Sequence, residues 1–324
     1  MATSQYNLST EISNLLVNFY ERKALKEQKF ENGLIRYGED AIIPEGNSAT
    51  GYWHRWTKFA LASDLSEGSQ GSPSTGVSMD TTQVSSTLVE FGSFVRVTLF
   101  SEAIRLESAA KQAYIKFTEQ ASRTANRRIL TALANTSTGF NRLYAGGRPS
   151  YAALVAEPSE ITNKDIQRAA NLIEKYYPPT NKTVCLLDPF SKGSLMINDA
   201  DFRDLLKFTS LNNLKQNDMP DWAGASIDIQ GDPWRESSTG SEGTYAAAGD
   251  IISVPIFNPS AFGKVSLMGK TGLKPKWHVQ NIDVTGAEMT IGYRIPFATL
   301  VLNTNWGVML KGMNPDYASI SSVA

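Results

Sequence analysis

The stretch VSSTLVEFGSFVRVT at residues 84–98, followed closely by SEAIRLESAAKQAYIKFTEQASRTANRRIL at residues 101–130, decides the fold class of this chain. Val95, Val97 and Leu99 share one face of an extended backbone, which is the period of two expected of a β-strand. From Ser101, apolar side chains recur at helical spacing as far as Ala134. This predicts a helix of about 34 residues, on the order of 50 Å long. A strand that passes directly into so long a helix indicates an α+β fold.

A long hairpin arm is predicted just before and within this stretch. Aromatic side chains are concentrated in residues 46–59, and residues 62–86 are polar and rich in Gly, Ser and Pro. Such turn-forming residues predict an extended loop, after which the strand alternation returns at Val84. We therefore predict a hairpin across residues 52–99. Because isolated two-stranded hairpins are marginal in water, the arm must lie on its own chain or on another molecule.

The N-terminal region predicts an amphipathic helix at residues 11–31. Its apolar side chains recur at the spacing of one helix face, and a charged run, ERKALKEQK, ends it. The apolar positions are Ile12, Leu15, Leu16, Phe19, Tyr20 and Leu25.

The remainder of the chain predicts mixed helix and sheet. Thr162 and Asp165 form a capping-box pattern at the start of a helix, which Pro178 and Pro179 end. A wholly apolar strand is predicted next at residues 183–187, and a short helix follows Asp188-Pro189. Strands around a Gly/Ser-rich loop are predicted at residues 227–262, and a final run of strands at residues 264–310.

Composition limits the classes of protein and of partner. The 324 residues are about twice the length of an ordinary domain, which predicts two lobes. Lys and Arg number 31 against 32 Asp and Glu, so the net charge is -1 and any affinity for DNA must be local. The single cysteine, Cys185, leaves no pair for an internal disulfide or a zinc site, and this fits a reducing compartment.

Neither an export signal nor a membrane span is expected. The N-terminus, MATSQYNLSTEISNLL, has no basic region followed by an apolar core. The longest uncharged apolar candidate, residues 295–310, contains Asn303, Asn305 and Gly307, and predicts sheet strand instead of a membrane helix.

The sequence contains no complete motif for catalysis or for cofactor binding. The sequence GKVSLMGKT at residues 263–271 has five residues between its glycines instead of the four of a phosphate-binding loop, so we predict a strand entering a hairpin turn. Cys185 lies in the apolar strand and predicts a buried, inert thiol. The two histidines, His54 and His278, each stand beside a tryptophan, and we predict that they pack on a strand surface. Two carboxylate pairs, Asp199 with Asp201 and Asp228 with Asp232, are predicted to lie in solvated turns. We predict no enzyme, cofactor or metal site.

The order of segments resembles a known family. The N-terminal arm is followed by the segment Trp53–Gly68 ending in LSEGSQ. Next come the strand that returns from the loop, VSSTLVEFGSFVRVT, and the long helix. ITNKDIQRAANLIEKYYPP with KTVCLLDPFSKGSL follows, and AFGKVSLMGK with IGYRIPFATLVLNTNWGV comes late. From about residue 11 to 311 this order resembles the major capsid proteins of tailed bacteriophages, in the N4-like branch of the Hong Kong 97-type fold.

The resemblance implies a division of the chain into five regions. They are an N-terminal arm at 1–50, an extended loop at 51–99, a spine helix with the first part of a peripheral domain at 100–180, an axial domain at about 181–255, and peripheral-domain strands with the C-terminal segment at 256–324. Some relatives crosslink a lysine of the extended loop to a neighbouring subunit. Residues 60–94 contain no lysine, so that chemistry is not expected here.

The function implied is that of a major capsid protein, which self-assembles into an icosahedral shell around a double-stranded DNA phage genome. The implied partners are further copies in hexamers and pentamers, a portal, packaged DNA on the inner face and, as a further candidate, a decoration protein. The arm begins within about ten residues of Met1, from which we expect a separate scaffolding protein. The implied location is the virion, after assembly in the bacterial cytoplasm. Alternatives are an encapsulin-like compartment shell and an α+β enzyme or small-molecule binding module.

Two groups of residues are candidates for contacts between subunits. Aromatic side chains at the root of the extended loop either anchor the arm on a neighbour or pack in their own core; these are Tyr52, Trp53, Trp56 and Phe59. Residues 60–94 carry four carboxylates, including Asp64 and Glu67, and no Lys or Arg, a local charge of -4. Residues 101–134 carry six basic against three acidic side chains, a charge of +3; the basic ones are Arg105, Lys111, Lys116, Arg123, Arg127 and Arg128. The acidic arm either crosses a neighbour's basic helix, or the basic helix faces packaged DNA.

Overall fold

A computed structural model describes residues 33–43, 49–57, 59, 78–98, 109–180, 182–198, 224–267, 276–281 and 288–313. The helices are α1 (Ala109–Ala134), α2 (Tyr151–Ala156), α3 (Asn163–Glu174) and α4 (Pro189–Asn198). The strands are β1 (Glu39–Ile43), β2 (Thr50–Trp56), β3 (Thr81–Thr87), β4 (Val89–Thr98), β5 (Asn141–Tyr144), β6 (Thr183–Leu187), β7 (Ala225–Ile229), β8 (Trp234–Glu236), β9 (Ile251–Phe257), β10 (Phe262–Leu267), β11 (Lys276–Asn281), β12 (Glu288–Val301) and β13 (Gly307–Met313). The predicted N-terminal helix lies outside the described residues.

A five-stranded sheet is built around the long strand β12. β4, β10 and β11 all pair with β12 in antiparallel fashion, and β1 adds to β10 in parallel. Tyr293, Ile295 and Phe297 alternate along β12 and are all buried on the face that packs against α1. The 26 residues of α1 extend for about 39 Å across this face.

A six-stranded sheet forms the other half of the subunit. Its order is β5-β13-β9-β6-β7, with β8 paired to β9. β6 and β9 are buried at every position, as the wholly apolar stretch at residues 183–187 predicts. The predicted capping box is confirmed, because Thr162 and Asp165 satisfy each other's backbone donors at the start of α3. The predicted short helix is α4, whose first backbone N–H groups donate to the Asp188 carboxylate.

One apolar cluster joins the two sheets through α1. Ile129, Leu130 and Leu133 of α1 pack in a single buried group with Phe297 of the five-stranded sheet and Phe257 of the six-stranded sheet. A second cluster lies between the six-stranded sheet and the helices α2 to α4. The two predicted lobes therefore share one continuous core at the long helix.

Strand pairing corrects the predicted extent of the hairpin arm. β2 and β3 form the predicted antiparallel pair from Thr50 opposite Thr87 to Trp56 opposite Thr81. Residues 89–98 do not continue that pairing, because β4 joins β12 along ten positions. The two-stranded part of the arm thus begins at Leu88, and β4 belongs to the five-stranded sheet.

A second predicted hairpin, at residues 263–271, is wrong. The strand predicted after Gly263 is β10, but β10 and the next described strand, β11, do not pair with each other. Both pair with β12, β10 along its C-terminal part and β11 along its N-terminal part. β12 is long enough, at 14 residues, to serve both strands in turn.

Sheet membership also bears on the predicted domain boundaries. The six-stranded sheet takes β5 from residues 100–180, β6 to β8 from residues 181–255, and β13 from residues 256–324. These segments share one sheet because β13 pairs with both β5 and β9. The boundaries between the peripheral and axial domains stay a prediction.

Candidate subunit-contact surfaces

The hairpin formed by β2 and β3 has one inward and one outward face. Because side chains alternate along a strand, Trp53 lies on the opposite face from Tyr52 and Trp56. The aromatic group predicted as one cluster is therefore divided between two surfaces.

The inward face fixes the root of the hairpin on the five-stranded sheet. Trp53 packs with Val265 and Ala298, and its ring lies directly over Gly263. A Cβ atom on Gly263 would lie 2.6 Å from the Trp53 ring, and one on Gly51 would lie 3.1 Å from both methyl groups of Val265. Each glycine thus makes room for a large side chain opposite it, and Trp53 is held inside its own subunit.

The outward face presents large apolar side chains to solvent. Tyr52 is 53% exposed, Trp56 62%, and Phe59 just beyond the strand 58%. Met79, on the returning side of the hairpin, is also exposed. Burying a large apolar side chain against a partner stabilises by about 2 kcal/mol. Several such side chains together on a projecting arm are typical of an interaction surface.

A groove of about 720 Å³ runs along α1. Its basic side chains are Lys116, Arg123, Arg127 and Arg128, and its acidic ones are Glu119 and Asp232. The basic side chains exceed the acidic ones by two. Phe117 adds an apolar surface to the lining.

Two of the four basic residues are positioned by contacts inside the subunit. The Nη2 atom of Arg127 lies 2.6 Å from Oδ2 of Asp232, and its guanidinium stacks on the Tyr245 ring at 3.6 Å from the ring centre. The guanidinium of Arg128 lies 5.0 Å from the centre of the Phe91 ring. The prediction of a solvated turn at Asp232 is therefore wrong, because that carboxylate is half of an ion pair. Asp228 likewise accepts a hydrogen bond from the Tyr37 hydroxyl at 3.2 Å.

The other two basic residues of the groove lie nearer the solvent. Lys116 is half exposed, and its Nζ lies 4.0 Å from a carboxylate oxygen of Glu119 one turn along the helix. Arg123 is exposed. Lys111 lies in the first turn of α1, whereas Asp64, Glu67 and Arg105 lie outside the described residues.

A buried ionic cluster, which was not predicted, lies beside the six-stranded sheet. Lys311 and Glu236 are both fully buried, and Nζ of Lys311 lies 2.9 and 2.8 Å from the two carboxylate oxygens of Glu236. Nζ also donates to Oε1 of Glu242 at 2.9 Å, so its three donors are all used. Trp234 donates to Glu236, and the Tyr144 hydroxyl donates to Glu242 at 3.0 Å. The only sequence signal was a lysine inside the otherwise apolar strand GVMLKGM.

The pKa values in this cluster follow from burial and from hydrogen bonding. Burial raises the pKa of Glu242, but hydrogen bonds from Lys311 and Tyr144 and the nearby positive charges outweigh it, so the pKa lies below its usual value. Burial, together with the bond to Glu242, raises the pKa of Tyr144 to about 12. At neutral pH Glu242 is therefore ionised and Tyr144 is a neutral donor.

The candidate groups for catalysis are separate in space. Burial raises the pKa of the Cys185 thiol, which disfavours the reactive thiolate. His54 and His278 lie exposed on β2 and β11. Within the part of the chain that the structure describes, no group of three His, Cys, Asp or Glu side chains is placed to hold a metal ion. Among the described helices, none is both long and apolar enough to cross a membrane.

Comparison with known proteins identifies the fold through structure alone. No family model matches the chain, and no curated protein matches its sequence. The chain is similar in structure to a capsid chain of the cyanophage P-SCSP1u, at 18% identity over 94% of both chains with a TM-score of 0.67. It is similar to a capsid chain of Helicobacter pylori bacteriophage KHP30 at 10% identity, over 97% of this chain and 99% of that chain, also with a TM-score of 0.67. A capsid chain of the cyanophage Pam1 matches at 12% identity, over 97% and 99% of the two chains, with a TM-score of 0.67.

These likenesses cover nearly the whole length of each chain. The protein therefore has the α+β fold of phage capsid chains, and the predicted fold class is confirmed. The assignment to the N4-like branch and the five regions of the chain stay predictions.

Proposed function

We propose that this protein is the major capsid protein of a tailed bacteriophage, of the Hong Kong 97 type and the N4-like branch. Many copies close into an icosahedral shell around double-stranded DNA. The observation that supports this most is the likeness to phage capsid chains over more than nine-tenths of the chain, at a TM-score of 0.67. The protein acts as a structural subunit and not as an enzyme.

The exposed side chains of the hairpin support assembly with further copies. Tyr52, Trp56 and Phe59 lie on an arm whose root is fixed by Trp53 and Gly263. An arm held at its root in this way can place its outward face on a neighbouring subunit. Each such contact is modest in energy, and many of them per shell give collective stability while each remains reversible during assembly.

The same proposal extends to the partners of the subunit and to its location. Subunits form hexamers and pentamers, and a scaffolding protein and a portal take part in assembly. DNA meets the inner face without sequence specificity, and a decoration protein is a further candidate partner. The protein is then a component of the virion, assembled in the cytoplasm of the bacterial host.

Two other functions remain as alternatives to be tested. An encapsulin-like shell would enclose a cargo protein instead of a genome. An α+β enzyme or binding module would need a built site, and among the described residues the buried Cys185 and the two exposed histidines do not form one.

The decisive experiment is electron microscopy of the full-length protein after expression with and without a phage genome. We expect closed shells, together with a nucleic-acid absorbance that rises when the genome is packaged. Size-exclusion chromatography provides the control: a single-subunit species whose melting temperature rises with a small ligand would support the enzyme. Shells that contain protein cargo and exclude DNA would support the encapsulin-like compartment.

A further inference from the structure

We infer that the outer edge of β4 pairs with β4 of a second copy of this chain, antiparallel and centred on Ser93. Two five-stranded sheets are thereby joined across a twofold axis. This inference rests on the proposed function, because it names one contact between copies of the shell subunit. It is carried by the open edge of β4, by the exposed side chains along it and by the order of its residues.

The outer edge of β4 is a long strand edge. In the part of the chain that the structure describes, β4 pairs with β12 on one side and with no strand on the other. Its ten residues, VEFGSFVRVT, include five apolar side chains and neither proline nor lysine. Proteins use prolines, lysines or very short strands to keep an open edge from pairing. An edge of this length and composition indicates a strand that pairs with another chain.

The side chains of β4 that point away from α1 are largely exposed. These are Glu90, Phe94 and Arg96, with Gly92 among them, because they pair with the residues of β12 that alternate with its buried ones. Phe94 is 64% exposed, and the side chain of Glu90 is 65% exposed. The Nε atom of Arg96 is buried and has no hydrogen-bond partner within the described residues. This face of β4 therefore presents an acid, a ring and an arginine with an unused donor.

The order of these residues is self-complementary about Ser93. In an antiparallel pair centred there, each Glu90 carboxylate lies opposite Arg96 of the other copy. Each Phe94 lies opposite Gly92, which leaves room for the ring to cover it. A twofold interface requires that residue i meets residue j while j meets i, and the axis repeats both contacts. The pair thus gains two opposite-charge contacts and two ring contacts.

Other registers lose this match. A shift by one residue would turn the exposed side chains of one copy toward the α1 side of the other. Centring the pair on Gly92 places Glu90 opposite Phe94, and centring it on Phe94 places Arg96 opposite Gly92. In both cases the two charges no longer meet. The edge therefore carries its own complement in one register, and this points to a second copy as its partner.

Charge reversal in two separate variants tests the pairing. Arg96→Glu places carboxylates opposite Glu90 on both sides of the axis, and Glu90→Arg places cations opposite Arg96. A cross-strand ion pair contributes up to about fivefold to association, so losing two weakens the contact by up to about 25-fold. Mixing the two variants brings opposite charges together again and should restore association. Analytical ultracentrifugation of full-length subunits before shell assembly measures both effects.

The matched control is Lys276→Glu. Lys276 is exposed on β11, on the far side of β12 from β4, and its reversal should leave association unchanged.

Cysteine trapping identifies the register directly. Ser93→Cys places two thiols at the axis, where the Cα atoms of facing residues lie about 4.5 to 5.5 Å apart, within reach of a disulfide. An added disulfide oxidant, oxidised glutathione, takes up the two electrons and two protons that the thiols lose. Cys185 is buried and should not react. We expect covalent dimers on non-reducing gels from Ser93→Cys and none from Gln280→Cys, at an exposed position on β11.

The outcomes separate this inference from the proposed function. If the wild-type chain forms shells but Ser93→Cys gives no covalent dimer and the two charge variants do not restore each other, the pairing of β4 is wrong and the shell function stands. If the variants restore each other without a Ser93→Cys dimer, the register about Ser93 is wrong. If the covalent dimer forms and no chain closes into shells, the pairing stands and the proposed function fails.

Discussion

Replacing Lys311 with methionine tests whether the buried ionic cluster stabilises the subunit. The substitution keeps most of the side-chain volume but removes the cation that lies 2.8 and 2.9 Å from the Glu236 carboxylate. Glu236 is fully buried and would retain only the hydrogen bond from Trp234. Leaving a buried charge without its partner destabilises a protein by about 3 to 5 kcal/mol. In a chain of this size that corresponds to a fall in melting temperature of roughly 5 to 10 °C.

The assay is thermal unfolding of unassembled subunits, followed by circular dichroism. A double variant, Lys311→Met with Glu236→Gln, removes both buried charges and should recover most of the loss, because replacing a whole buried ion pair is often close to neutral. Arg294→Met at an exposed position is the control and should change stability by about 0.5 kcal/mol or less. If the single variant melts like wild type, or the double variant melts as low as the single one, our account of the cluster is refuted.

Three further predictions concern pH, the hairpin and the N-terminal arm. The pKa of Glu242 is lower in the folded state than its ordinary value of 4.5, so its contribution to stability is present above that pH and is lost as the pH falls below it. Glu242→Gln should therefore flatten the acid limb of a plot of melting temperature against pH, and an unchanged limb would contradict this. Trp56→Ala should lower the melting temperature of shells more than that of subunits, since its ring is exposed in the subunit, while equal losses would place the ring in the subunit core. Deleting residues 1–30 should leave soluble subunits that fail to close shells in electron micrographs, and normal shells from this truncation would show that the arm is dispensable.

The elements that were predictable from sequence are those fixed by neighbours along the chain. The capping box of Thr162 and Asp165, the buried strand β6 and most of the long helix follow from patterns within a few residues. The limits of the hairpin were not predictable, because β4 leaves the arm to pair with β12, nearly 200 residues later. The ionic cluster was missed for the same reason: Lys311 and Glu236 are 75 residues apart, and neither position has a local signature of its partner.

For the candidate contact residues, the sequence predicts which kinds of side chain are present better than it predicts the surface on which each one lies. Aromatic side chains in residues 52–59 were predicted as one group, but the alternation of β2 turns Trp53 inward and Trp56 outward. The basic character of α1 was predictable by counting charges. The pairing of Arg127 with Asp232 depends on a contact across 105 residues, and no charge count shows it.

The shared core at α1 has a consequence for how curvature is accommodated. Because Ile129 and Leu133 pack against both sheets at once, a change in the angle between the sheets would open voids in a closely packed interior. In the icosahedral shell proposed above, copies around fivefold and sixfold axes would meet their neighbours at different angles. With the body of the subunit rigid, the difference in angle would fall on parts outside this core, and among the described residues the exposed outward face of β2 at Tyr52 and Trp56 is one such part.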